Sequence, residues 1–246
     1  MASRIAHKTR LFLRSPRILG ISQWVPVRYK SSSSSKRWTA AQASDPFVKA
    51  AKADSYRARS SYKLIELDKK YDLIRPKDEG VIVDCGSAPG GWCQVLARLA
   101  QVKRGNDSSK GLAVAVDLLP MLPIAGVQFI QGDFTDASIK RRLSEAIGDR
   151  RVKLVLSDMA PAFSGHHTTD HARSMNLCEN VMAFADEFLS SGGSLVCKYF
   201  MGGDENELRA ELRKRFARVL SEKPDSSRKR SSERYFVCID KKPDIG

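Results

Sequence analysis

At 246 residues and 42% hydrophobic content, the chain is long enough for one domain with a real core, and wholesale disorder is excluded. No apolar run approaches the ~20 residues that a membrane-spanning helix needs. The net charge of +14 favours polyanionic partners such as nucleic acid or an anionic membrane.

That charge is concentrated at the start of the chain. Nine of the 42 Lys and Arg (Arg4, Lys8, Arg10, Arg14, Arg17, Arg28, Lys30, Lys36 and Arg37) precede Trp38, where there is no acid at all. Ile5, Leu11, Phe12, Ile18 and Leu19 alternate with these cations, so a helix here would be basic and amphipathic, interrupted at Pro16. This is the composition of a mitochondrial transit peptide, and Ser31 to Ser35 reads as a linker after it. A disordered RNA-binding arm is the alternative. The body beyond residue 37 is only mildly basic. Five cysteines with no CxxC pair point to free, mostly buried thiols in a reducing compartment and argue against zinc.

From Asp45 onward, helical and strand patterns alternate. Tyr56 to Tyr71 has helical apolar spacing; Val81 to Cys85 is a short apolar strand; Gly91 to Gln101 reads as a helix. Gly111 to Leu119, Val127 to Ile130 and Val152 to Leu156 are strands, the first nearly all apolar, as in a strand covered on both faces. Asn176 to Leu189 is helical, Ser194 to Tyr199 a strand, Glu205 to Leu220 a helix, and Tyr235 to Ile239 a last strand. The order predicts an α/β fold, a mostly parallel sheet with helices on both faces, with ligands bound past the carboxyl ends of the strands.

The residues just past those ends are polar. The first strand runs into Asp84-Cys85-Gly86-Ser87-Ala88-Pro89-Gly90-Gly91-Trp92, a loop that lets backbone amides and a helix N-terminus approach a ligand. It is not the dinucleotide fingerprint GxGxxG, and Pro89 removes a donor. The second strand ends at Asp117, suited to ribose hydroxyls, and the third at Gln131-Gly132-Asp133, suited to an adenine amino group. The set predicts an adenosine-containing cofactor without a required phosphate contact, which S-adenosylmethionine satisfies. The fourth strand ends Ser157-Asp158-Met159-Ala160-Pro161 and the fifth carries Cys197-Lys198-Tyr199, where a lysine is costly unless paired or functional. Lys63 sits in Ser61-Tyr62-Lys63-Leu64, and Glu233 opens the last strand.

In these words and their order, from residue 45 to 241, the chain resembles the FtsJ family of ribose 2′-O-methyltransferases. Cys197-Lys198-Tyr199-Phe200, Lys223-Pro224-Asp225-Ser226-Ser227-Arg228 and Ser231-Ser232-Glu233-Arg234-Tyr235 take part in the match. The resemblance implies a Rossmann-like S-adenosylmethionine-dependent methyltransferase fold over residues 38–246. It also implies a catalytic tetrad of Lys63, Asp158, Lys198 and Glu233, with Lys198 central. The cofactor contacts it implies are Gly86, Pro89, Gly90, Gly91, Trp92, Asp117, Asp133 and Asp158, with no metal. Ala162 departs from an asparagine frequent there in the family, which touches one loop contact rather than the reaction.

A ribose hydroxyl is a poor nucleophile near neutrality and must lose its proton as it attacks, so a lysine beside another cation suits a general base. The resemblance is nearest to the mitochondrial branch that methylates a uridine of large-subunit ribosomal RNA. The expected partner is the mitochondrial large ribosomal subunit, the expected compartment the matrix, and a monomer is the favoured assembly. Transfer-RNA or cap methylation, a non-catalytic ribosome-assembly factor and a nicotinamide oxidoreductase are the competing readings; the absent GxGxxG opposes the last. His166, His167 and His171 read as a polar loop rather than a metal site. Two basic groups are phosphate candidates flanking the catalytic end: Lys49, Lys52, Arg57 and Arg59, then Arg228, Lys229 and Arg230.

Overall fold

The computed structural model describes residues 44–74, 80–104 and 113–243. The basic tail and the serine run, with Gly111 and Leu112 of the predicted second strand, lie outside the described residues.

Seven strands form one sheet in the order β3-β2-β1-β4-β5-β7-β6. They are β1 (Val81–Cys85), β2 (Ala113–Asp117), β3 (Val127–Gln131), β4 (Val152–Ser157), β5 (Leu189–Phe200), β6 (Phe216–Glu222) and β7 (Glu233–Lys241). Only β7 runs against the others, pairing antiparallel with β5 on one side and β6 on the other. The strand order reverses between β1 and β4, so the ends of these two strands flank the crevice where doubly wound sheets bind ligands.

Among the described residues, six helices accompany the sheet: α1 (Pro46–Ala53), α2 (Ser61–Tyr71), α3 (Gly91–Arg104), α4 (Ala137–Ile147), α5 (His167–Phe188) and α6 (Glu205–Arg215). Two apolar layers separate along the strands with period two. Val81, Val83 and Cys85 of β1 face one layer with Leu143, Val181 and Leu212 from α4, α5 and α6. Ile82, Leu154, Leu156, Val196, Tyr235 and Val237 face the other, with Leu64 and Leu67 of α2 and Val95 and Leu96 of α3. The predicted parallel sheet covered on both sides is what forms.

Local differences have physical reasons. Residues 205–220 are not one helix: α6 stops at Arg215, and Phe216 turns extended (φ −120°, ψ 146°) to begin edge strand β6. Leu208, Leu212 and Phe216 are all buried four apart, so the helical spacing continues across the junction. α5 starts at His167, before the expected Asn176. α1 begins directly after Asp45, whose side chain accepts from the amides of Phe47 and Val48, with Pro46 in the first turn. α4 buries Ile139, Leu143 and Ile147. All five cysteines are buried free thiols. Among the described residues, no helix is long and apolar enough to cross a membrane.

Candidate active site

The glycine-rich loop between β1 and α3 is shaped by two constraints. Gly86 has φ +77°, and a Cβ there would lie 2.0 Å from Met159 Cγ, so only glycine lets the loops after β1 and β4 meet this closely. At Gly90 (φ +103°) a Cβ would lie 2.8 Å from Ile124 Cδ1 and 2.9 Å from both Arg57 Nη1 and Met121 Sδ, so this position too calls for glycine. Arg57 holds this arrangement by donating to the carbonyls of Pro89 (3.2 Å), Leu122 (2.7 Å) and Pro123 (3.0 Å).

A cleft of ≈ 610 Å³ opens beside the loop, lined by Gly86, Ala88, Asp117, Asp133, Asp158 and Met159 among others. The Asp117 carboxylate accepts from the amides of Ala88 (2.8 Å) and Leu119 (2.7 Å), which locks the end of β2 to the loop. One oxygen of Asp133 takes the Thr135 amide (2.9 Å) and hydroxyl (2.7 Å). Next to the cleft, a polar recess of ≈ 40 Å³ is lined by Ser60, Asp84, Gly86, Ser87, Pro89, Gly91, Trp92 and Asp158. The buried Ser87 hydroxyl has no partner in it. The predicted cofactor residues are thus gathered at one place, with Gly90 between the lining residues Pro89 and Gly91. Cleft and recess fit an adenosine bearing a charged amino-acid arm: acids stand at the strand ends, and an orphaned hydroxyl sits in the recess.

Asp84 was not among the expected site residues. Its side chain is on the α3 side of β1 and accepts from the Cys93 thiol at 3.1 Å. Burial drives its carboxyl up to about 7; the thiol opposes the shift, and the charges of Asp158 and Asp117 add to it.

Strand alternation brings the tetrad together. Asp158 lies two residues past Leu156, Lys198 two past Val196 and Glu233 two before Tyr235, so all three point to the layer where Leu64 and Leu67 hold α2. Lys63, on that helix, completes the group. Its Nζ is 2.9 Å from Glu233 Oε1 and 3.8 Å from Asp158 Oδ1. Lys198 Nζ is 3.0 Å from the same Asp158 oxygen and donates to the Asp158 carbonyl at 2.5 Å. Lys63 and Lys198 are only 7% and 9% exposed, a burial that charged amines tolerate only when paired.

Tyr235 is a further member that sequence reasoning did not single out. Paired with Lys198 across the β5–β7 ladder, it donates its hydroxyl to Asp158 Oδ1 at 2.5 Å. Three groups therefore converge on one carboxylate oxygen. Burial pushes the Asp158 carboxyl up, but Lys198, Lys63 and the Tyr235 hydroxyl together outweigh it and hold it below the usual carboxylate range. Burial and the two nearby carboxylates push the Tyr235 phenol well above its ordinary value, so it stays a donor.

The predicted phosphate candidates divide. Arg57 and Arg59 are committed to internal partners, whereas Lys49, Lys52, Lys229 and Arg230 are exposed. His171 is buried with Nε2 3.2 Å from Asp204, whereas His166 is exposed.

The FtsJ-like methyltransferase family matches residues 56–241 of this chain. A ribosomal RNA large subunit methyltransferase E from Marinobacter nauticus is 47% identical over 207 residues, covering 84% of this chain and 96% of the relative. The protein of that name from Rickettsia africae is 40% identical over 220 residues, covering 88% and 95%. A crystal structure from Plasmodium falciparum, described as a ribosomal RNA methyltransferase, superposes with a TM-score of 0.65 at 31% identity. It covers 76% of this chain and 98% of the other.

Proposed function

This chain belongs to the FtsJ-like methyltransferase family, and from that membership we propose that it methylates the 2′-hydroxyl of a uridine in mitochondrial large-subunit ribosomal RNA. It is an S-adenosylmethionine-dependent RNA methyltransferase. The observation that carries the ribose reading is the convergence of Lys63, Lys198 and Tyr235 on one oxygen of Asp158 at the mouth of the cofactor cleft. The ribosomal substrate is supported by the names of the bacterial relatives. The compartment is supported by the acid-free basic tail.

S-adenosylmethionine supplies a methyl group already activated on a sulfonium. The chain's task is therefore to place a hydroxyl in line and remove its proton. In this mechanism Lys198 reacts as the neutral amine and takes the proton from the 2′-oxygen as that oxygen attacks. Asp158 aims the amine and steadies the ammonium that results. Lys63, held by Glu233, orients the hydroxyl or the neighbouring phosphate. Tyr235 fixes the Asp158 rotamer through its hydrogen bond to Oδ1.

The test uses the purified chain, radiolabelled S-adenosylmethionine and large mitochondrial ribosomal subunits from cells lacking the protein. Label in one alkali-resistant dinucleotide, lost with Lys198→Ala while cofactor binding persists, is the expected result. Label in transfer RNA would move the substrate. No label in any RNA, despite cofactor binding, would leave an assembly factor.

A further inference from the structure

The first acidic residue of the chain, Asp45, lies between two arginines at the catalytic mouth. Arg59 donates one terminal nitrogen to Asp45 Oδ2 and the other to the Ser226 carbonyl. Arg228 brings its Nε to 3.7 Å from the same oxygen. This cluster is one helical turn from Lys63, and Arg59 is close enough to feel the charge of Glu233. The 223–232 loop is itself tied to α2, where the Ser226 amide donates to Glu66 at 3.1 Å.

Two features distinguish the cluster from an ordinary structural ion pair. Two guanidinium groups face one carboxylate, so an excess positive charge remains; burial and Arg228 both lower the Arg59 pKa accordingly. Arg228 is also hardly engaged: it is exposed, and its side chain's sole polar contact among the described residues is an ion pair too long for a hydrogen bond. A planar fork with unused donors beside a catalytic mouth is suited to phosphate.

We propose that Arg59 and Arg228 form a phosphodiester-binding subsite for the RNA backbone, and that Asp45 occupies it in the free protein as an internal stand-in for phosphate. The inference rests on the RNA substrate proposed above. RNA binding then exchanges one anion for another on the same arginines, while the second oxygen of Asp45 can keep capping α1 through the Phe47 and Val48 amides. The carboxylate lowers affinity for stray polyanions and keeps two like charges together until a phosphate arrives.

Asp45→Asn removes the charge and keeps the helix cap, since asparagine caps as well as aspartate; Asp45→Ser is a second charge-free cap. Binding of a short fluorescein-labelled single-stranded RNA is measured by anisotropy over a salt series, with thermal melts as the folding control. Both variants are expected to bind roughly three- to tenfold more tightly than the parent, with a salt slope steeper by about one. In an Arg228→Gln background the gain should disappear. Unchanged or weaker binding by correctly folded Asp45 variants would overturn the proposal while leaving the methyltransferase reading intact. Failure of the parent chain to bind the RNA at low salt would overturn both.

Discussion

Asp84 offers a quantitative test of how the site is built. It is 1% exposed, its carboxyl is raised from 3.8 to about 7, and an isosteric Asp84→Asn substitution keeps its shape without its charge. Between those two values the folded protein holds a proton that the unfolded chain has released, so folding stability falls as pH rises through the window and levels off above it. At about 1.4 kcal/mol per pH unit, a rise from 3.8 to about 7 corresponds to about 4 kcal/mol. Asp84→Asn has no such proton to lose. The variant should match the parent near pH 4 and exceed it by about 4 kcal/mol near pH 8. Urea denaturation followed by circular dichroism across that range reads the difference directly. Taking variant minus parent cancels the titration of carboxylates that do not interact with Asp84, leaving only its own and the small coupled contributions of Asp158 and Asp117. A difference that does not grow with pH, or that turns against the variant above neutrality, would refute the view that burial dominates Asp84.

Two further outcomes follow from the geometry. Tyr235→Phe removes the hydroxyl from Asp158 Oδ1 without changing the packing of the ring. It should cost about 1.5–3 kcal/mol near neutrality, as loss of a hydrogen bond to a charged group does, and less as pH falls and Asp158 protonates. Gly86→Ala puts a Cβ 2.0 Å from Met159 Cγ on a left-handed backbone, so stability should fall by about 1–3 kcal/mol from strain alone. The stabilisation of the fold by added S-adenosylmethionine, read as a melting shift, should be largely abolished.

Much of this architecture is legible in the sequence because burial on both faces leaves continuous apolar runs, as in Ala113 to Val116 and Leu154 to Leu156, and because an acid or glycine stands within two residues after each run. Helices α1 and α4 carried readable signals as well: Asp45-Pro46 for one, and Ile139, Leu143 and Ile147 at one-turn spacing before Gly148 for the other. The α6–β6 junction was not legible. No glycine or proline marks it, and Phe216 satisfies the helical spacing while pairing in the sheet opposite Lys241. The tetrad could be found through its words, yet Tyr235 could not, since a buried tyrosine in a strand is ordinarily core. Its role becomes visible only in register, opposite Lys198. Arg57 and Arg59 carry the same charge as exposed lysines nearby. Only the folded chain separates a clamp on the glycine loop from a bridge to Asp45.

The lone reversed strand has a consequence for synthesis. β7 follows every other described strand and helix in chain order, and it delivers Glu233 and Tyr235 to a centre whose other members lie on α2, β5 and the loop after β4. A nascent chain that has emerged only through β5 has Lys63 without Glu233 and Asp158 without the Tyr235 hydroxyl, and the flank of β5 lies open to pairing. Such an intermediate cannot act on RNA and exposes a sticky edge. Insertion of β7 removes both defects in a single event, so the capacity for catalysis and protection from aggregation arrive together.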